Sequence, residues 1–498
     1  IILNNDLIND AYIQNNILQS INKRIRQSYI GKLILSGNFQ VMISDPYAML
    51  QHVFGLEVTG LLEDNEHYSD YWNHKKIKQV AAMRSPLTWR SEVNILNLQP
   101  YNEWYKYLYS GVVYNVHGCD CMIHADSDFD FDIVCTVSTP EVISCAYGGL
   151  PVSYDKKTAP KKKIVESELW KADQQSFHSK IGFVTNISTS LYVLYDLYKQ
   201  IYGVNCQECA EIEKRLKICR KEQGSQIDKA KGILVKEFPK HWTKIQKIKD
   251  DMSDVEKANI EFNNKFAVIS RPYFFRYLYR NYNKKYNDYI SVYNTNSIYN
   301  FGIELNELLL KDDLLECESE FIDKFYKNNP LLLNDSVMNN VCRYMEDSIK
   351  QLNLNNHTNS SENIIYILKN SYTPTDEELN SLDLLYKKYM ELKRKIGYGD
   401  KTEYKLVEQL YKVIKNEAFK IRSNESDLAT MGVILCYEKY KSNSKEFVWK
   451  VFPNGILENI KHNSSEKLFI PIVDDDGDII YLGKKYKMME VKELSDDI

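Results

Sequence analysis

Four aspartates stand at every second position in HADSDFDFDIV: Asp126, Asp128, Asp130 and Asp132. On a strand, side chains two apart share a face, and a tight turn would also converge such a run on one point. Carboxylates held that close repel one another near neutral pH unless protons, basic partners or a bound cation neutralise them. A hard divalent ion is the simplest neutraliser. Mg²⁺ prefers carboxylate oxygens, keeps part of its water shell and commonly meets a protein where substrate phosphates complete its coordination. An acidic hairpin in water is the bland alternative. Against it, Phe129, Phe131, Ile133, Val134 and the VVYNV run at 112–116 predict a buried, strand-rich setting.

Other candidate groups carry less. Cys119 with Cys121 and the CxxC of Cys206 with Cys209 each lack a second ligand pair at zinc spacing, so they read as ordinary thiols. DDDGD at 474–478 lies between two apolar runs and reads as a hairpin turn. KKTAPKKK supplies Lys156, Lys157, Lys161, Lys162 and Lys163 on an extended, Pro-containing stretch. Such a stretch could follow a nucleic-acid backbone, and a solvated loop is the alternative.

The chain must supply elements that position these groups. Its 498 residues suffice for two to four domains. The net charge of −4 exerts no global pull on nucleic acid, so any such contact is local. No apolar run reaches the length of a membrane span and no signal peptide is evident, which predicts a cytoplasmic protein without membrane contact. Ten scattered cysteines fit a reducing compartment.

Strand-like runs, LILSGNFQVMI, QVAAMRSPL, VNILNL, GVVYNVHG and DIVCTVST, fill residues 33–155. Helical periodicity follows in SLYVLYDLYKQIYG and ECAEIEKRLKICRKEQGSQIDKAKGILV, while 281–300 is ambiguous. Residues 351–364 are polar. Thr375 with DEEL opens a capped helix to about 396, another covers 401–422, a third 424–442, and FVWKVF, LFIPIV and IIYLG read as strands. The expectation is an α+β chain: an N-terminal remnant at 1–32, a barrel region at 33–185, helices at 186–350, a polar linker at 351–374, and a helical part with a small β region at 375–498.

RSPLTWR, the VNILNL strand, YNVHG and the aspartates occur in a fixed order. In this order and spacing the chain resembles the two-barrel RNA polymerases: the large catalytic subunit of multi-subunit enzymes, the eukaryotic silencing RNA-dependent RNA polymerases, and single-chain phage polymerases similar to them. Arg84, Pro86 and Arg90 match the first element, Val93 to Leu96 the strand, His117 the next, and Asp128, Asp130 and Asp132 the metal triad. GNFQVMISDPYAML, SKIGFVTNIST and QGSQIDKAKG extend the similarity over residues 30–240. Where the family has Gly between its last two aspartates, this chain has Phe131.

The resemblance implies a double-psi β-barrel and template-directed RNA synthesis from NTPs by a two-metal mechanism. The aspartate triad would hold Mg²⁺, with Mn²⁺ the alternative ion and Asp126 a further candidate ligand. Arg84 would contact the nucleotide, a structural ion pair with one of the aspartates being its alternative reading, and Arg90 would do the same or support the loop; Lys180, Lys229 and Lys231 join the lysine stretch as candidates for nucleic acid. His117 reads as a packed core residue. The family's partner barrel is expected on a preceding segment or a partner chain, since the sequence starts with Ile and only about 35 residues precede the barrel. Asn, Ile, Lys and Tyr bias fits an AT-rich bacterial or phage source and tilts the template toward DNA. A binding-only barrel inactivated at Phe131 and a metal-dependent nuclease are the alternatives.

Overall fold

The computed structural model describes residues 4–154, 165–177, 180–231, 235, 237–268, 271–328, 335–350, 362–396, 404–440, 445–464, 468–481 and 483–491. It divides into two compact units, Arg26–Ile349, and Ile1–Ile25 with Lys350–Ile498.

The first unit is built on a closed barrel of strands β1 (Gly37–Ser44), β2 (Glu66–Tyr68), β3 (Gln79–Met83), β4 (Val93–Leu98), β5 (Gly111–Tyr114) and β6 (Ile133–Val137), in the order β1-β5-β2-β4-β3-β6. β1 runs parallel to β5 and antiparallel to β6, and β3 runs antiparallel to both β4 and β6. Closure pairs every strand on both sides and leaves no edge. Alternate residues point inward: Val80 and Ala82, Leu96 and Leu98, Val112 and Tyr114, with Met42, Val134 and Trp72 completing the core. Trp72 Nε1 donates to Thr136 Oγ1 at 2.9 Å, and Thr136 Oγ1 donates to Gln40 Oε1 at 3.1 Å, so these three buried polar side chains satisfy one another. Gly111 faces Val41 on β1, and a Cβ there would collide with the Ile43 side chain.

The five strand-like runs of the sequence correspond to β1, β3, β4, β5 and β6, although β1 begins only at Gly37. β2 has no readable pattern, being three residues long. Beyond the barrel, Ile181–Tyr202 and Gln207–Ile227 form two long helices, and SKIGFVTNIST lies mostly within the first. Val184, Ile187, Leu191 and Leu194 on the first, and Ile212, Leu216 and Cys219 on the second, share one core with Trp89. Trp89 thereby ties the segment after β3 to these helices. The ambiguous stretch is a helix, Arg280–Phe301, closed by Gly302 at φ 74°.

In the second unit Thr375 and Glu378 form the expected capping box, opening the helix Asp376–Ile396. Further helices span Tyr404–Ala418 and Glu425–Val433. FVWKVF is not a strand: Glu446–Val451 is helical, because Phe447, Val448, Val451 and Phe452 recur at helical spacing and are all buried. LFIPIV and IIYLG supply β7 (Leu468–Val473) and β8 (Ile479–Tyr481), both antiparallel to β9 (Lys484–Val491). DDDGD is therefore a turn, with Gly477 N–H donating to Asp474 O, but the strands it joins pair with β9 and not with each other. No described helix is long and apolar enough to cross a membrane.

Candidate active site

Register brings the two ends of the motif together. Met83 at the end of β3 stands opposite Cys135 of β6, so Arg84 emerges beside the residues that lead into β6. Arg84 Nη2 donates to Asp132 Oδ1 at 2.8 Å, with each side chain 22% exposed. The other carboxylate oxygen of Asp132 accepts the Asp128 N–H at 2.8 Å, and Asp132 O accepts the Met42 N–H at 2.8 Å. Asp132 thus knots the acidic loop, the Arg84 segment and β1.

The acidic run is not a strand. After β5, Asn115 Oδ1 accepts the N–H groups of His117 and Gly118, a short helix spans Asp120–Ile123, and the chain turns through Ala125 at φ 63° and Asp126 at φ 55° before β6 begins at Ile133. Two left-handed residues in succession break extended geometry, and the Asp132 side chain replaces a ladder by bonding to the backbone of Asp128. Phe131 adopts φ 92°. The loop therefore keeps a conformation that suits glycine, and it holds a 73% exposed Phe ring there. Phe129 and Ile133 are also exposed, against the expected burial, whereas Val134, Val112 and Val113 are buried as expected.

Asp128 and Asp130 are exposed on the loop. Asp126 turns away: its Oδ2 accepts the Tyr154 hydroxyl at 2.9 Å and lies 3.5 Å from Arg220 Nη2. Among the described residues no three His, Cys, Asp or Glu side chains are gathered closely enough to hold a metal ion. Asp128, Asp130 and Asp132 are of the donor kind a hard divalent cation takes, but they are not gathered around one point, and Asp132 is already bonded by the Arg84 guanidinium.

Arg90 pairs with Glu213 and is boxed by the rings of Trp89, Tyr147 and Tyr195. His117 is an exposed residue, not a core one; its Nε2 donates to Thr59 O at 3.0 Å. Lys180 and Lys229 line a pocket of about 200 Å³ with Phe183, Gln226 and Phe238. Lys231 ends the short helical turn Asp228–Lys231. Lys156, Lys157, Lys161, Lys162 and Lys163 lie outside the described residues. Cys206 caps its helix, its Sγ accepting the Cys209 N–H at 3.3 Å.

Two groups had no signal in the sequence. Beneath the Arg84 segment, buried Glu92 accepts the N–H groups of Thr88 and Trp89, both at 2.7 Å, and pairs with Arg220 Nε at 2.8 Å. Burial raises its pKa, opposed by the Trp89 N–H and Arg220. Beneath the acidic loop, Tyr114 Oη lies 3.1 Å from His124 Nε2, and His67 Nε2 lies 3.4 Å from Asp120 Oδ1. Burial pushes the His124 imidazole down to about 4. Burial alone would raise Asp120, but bonds from His67 and Asn94 outweigh it and lower its pKa.

A closed barrel with an acidic loop bonded to an arginine segment at one mouth is thus the frame, and among known proteins the chain is similar in sequence to a phage RNA polymerase. The chain is 22% identical over 472 residues to the DNA-directed RNA polymerase YonO of Bacillus phage SPbeta, an alignment covering 92% of this chain and 45% of that protein. Among solved structures, the RNA dependent RNA polymerase QDE-1 from Thielavia terrestris aligns over 92% of this chain and 47% of its own, at 12% identity and a TM-score of 0.40. No protein-family model matches. The chain spans less than half the length of the phage enzyme and of the QDE-1 chain. The likeness to the phage enzyme, extending over nearly the whole chain, agrees with the two-barrel RNA polymerase resemblance carried by Arg84, Pro86, Arg90 and the aspartates.

Proposed function

We propose that this chain is the catalytic part of a template-directed RNA polymerase of the two-barrel class, its barrel being the double-psi catalytic barrel. The observation that carries the reading is the Arg84–Asp132 bond, which unites the two matched motifs at one mouth of the barrel. The phage relative's name reads DNA-directed, which favours a DNA template over RNA.

Asp128, Asp130 and Asp132 would hold Mg²⁺ or Mn²⁺. An ion held there, with a second arriving with the nucleotide, would supply the positive charge that lowers the pKa of a primer 3′-hydroxyl and offsets charge on the leaving pyrophosphate. Arg84 keeps further N–H donors beyond the one given to Asp132, and its planar fork suits a sugar or phosphate oxygen of the incoming NTP. Arg90, spent on Glu213 and three rings, holds the segment in place instead of reaching the nucleotide.

Transition-state charge on a transferring phosphoryl group also needs fixed positive donors. Arg90 and Arg220 are engaged by carboxylates and Arg84 is partly so, and further donors would come from a second barrel on a further segment or partner chain. The lysines at 156–163, with Lys180, Lys229 and Lys231, would track the template backbone. The setting is the cytoplasm of a bacterial or infected host cell.

The test is extension of an RNA chain by the protein joined to its second barrel, with NTPs, Mg²⁺ or Mn²⁺, and DNA or RNA templates. Template binding without product would instead support a binding-only barrel, a reading favoured by the ungathered carboxylates. Hydrolysis of the template would support a nuclease.

A further inference from the structure

We infer that Arg220 is a positioning residue for the acidic loop: its guanidinium, assisted by the Tyr154 hydroxyl, clamps that loop to the Arg84 segment. The inference rests on the polymerase reading for its functional consequence, though not for its geometry. Arg220 sits on the helix Gln207–Ile227, outside the barrel, and its side chain is 3% exposed. One end reaches Glu92 Oε1 at 2.8 Å and the other lies 3.5 Å from Asp126 Oδ2. Glu92, also 3% exposed, carries the tension onward by accepting the N–H groups of Thr88 and Trp89, in the turn that begins at Arg84.

On the other side, Asp126 and its neighbour Ala125 are held in the left-handed region, which L residues avoid unless their surroundings enforce it. Tyr154 and Arg220 supply that enforcement at the first of the four aspartates, two residues before Asp128. The Tyr154 hydroxyl stays protonated, its pKa pushed up to about 12 by burial, and so remains a donor to Asp126. Gly224, one turn beyond Arg220, completes the seat: a Cβ there would collide with Tyr154 Oη and press on Arg220 Nη1. A lysine could satisfy Glu92 or Asp126 but not span both, because its ammonium is a point charge without a fork.

The test compares wild type with Tyr154→Phe and Arg220→Lys by three readouts: hydrogen exchange of the amides at 124–132, Mn²⁺ binding followed by water-proton relaxation, and extension kinetics of the protein joined to its second barrel. Both variants are expected to exchange faster in the loop. In Arg220→Lys, Mn²⁺ affinity and kcat should fall by about 10- to 100-fold, as for other groups that orient metal ligands, with NTP KM and template affinity held. Tyr154→Phe should move the same way by less, and it decides the matter if Arg220→Lys does not fold. Wild-type exchange and Mn²⁺ affinity in a folded Tyr154→Phe, or a wild-type protein that binds no Mn²⁺, overturns the inference. If wild type makes no RNA yet the variants loosen the loop and weaken Mn²⁺ binding, the clamp stands and the polymerase reading falls. If wild type extends RNA and both variants match it, the clamp alone falls.

Discussion

Arg84 Nη2 lies 2.8 Å from Asp132 Oδ1, joining segments 48 residues apart in the chain. The barrel makes this contact possible: β3 and β6 are antiparallel neighbours, so the end of one and the start of the other share a mouth. One guanidinium there neutralises part of a loop that carries four aspartates, and under the proposed function the same charge would meet a phosphate-bearing substrate.

Arg84→Ala removes both roles. The pair is partly exposed, so the stability loss should be modest, about 1 kcal/mol in urea unfolding. Extension should suffer more: a raised NTP KM with template affinity retained. Arg84→Lys should recover stability better than it recovers nucleotide use, since it restores charge without the planar fork. Equal recovery of both would argue that Arg84 is only a structural ion pair.

Phe131→Gly is expected to be neutral or stabilising. Holding a non-glycine residue at φ 92° costs about 1–3 kcal/mol, while the added freedom of glycine in the unfolded chain returns about 0.5–1 kcal/mol of that. The exposed ring contributes little burial to offset the difference. Urea midpoints of the two proteins check this, and RNA extension should survive the change. A clear destabilisation would mean that the ring itself anchors the loop.

Much of this was legible in the sequence, for physical reasons that also mark where legibility ends. Strand alternation is a local signal, so β3, β4 and β5 could be read, whereas β2 is too short to alternate. The motif order from Arg84 to Asp132 pointed to segments that the fold does bring together, but the backbone of the acidic run did not follow its side-chain spacing. Left-handed Ala125, Asp126 and Phe131 are enforced by tertiary partners such as Tyr154 and Arg220, which no local pattern encodes. FVWKVF misled because a short run of buried apolar residues fits strand and helix alike. Glu92 and Arg220 lie 128 positions apart on two separate elements, and only packing pairs them.

His124 gives the barrel a pH dependence. Its imidazole is pushed down to about 4 by burial and by the neighbouring His67 and Arg84, with Asp120 pulling the other way. Above its ordinary value of about 6.5 the histidine is neutral in both states and its contribution is fully present. As pH falls through 6.5 the unfolded chain takes the proton first, so stability declines until about pH 4, where the folded state protonates too. The loss over that window should be on the order of 3 kcal/mol. Urea unfolding at pH 7 and pH 4.5 should show it, and His124→Gln should flatten the slope relative to wild type. Identical slopes would assign the acid sensitivity to other groups.

Asp130 tests the chemistry most directly, because it is exposed and no bond to its carboxylate is seen among the described residues, unlike that of Asp132. Asp130→Ala should therefore leave urea stability within about 0.5 kcal/mol of wild type, as expected for a surface substitution. If the loop binds a divalent ion, millimolar Mg²⁺ or Mn²⁺ should raise the thermal midpoint of wild type by mass action and not that of the variant. RNA extension by the protein joined to its second barrel should fall by about 100-fold or more, with template affinity unchanged. An Asp130→Ala protein that keeps both its metal-dependent stabilisation and its extension rate would remove the aspartate loop from the reaction, and with it the case for nucleotidyl transfer at this mouth of the barrel.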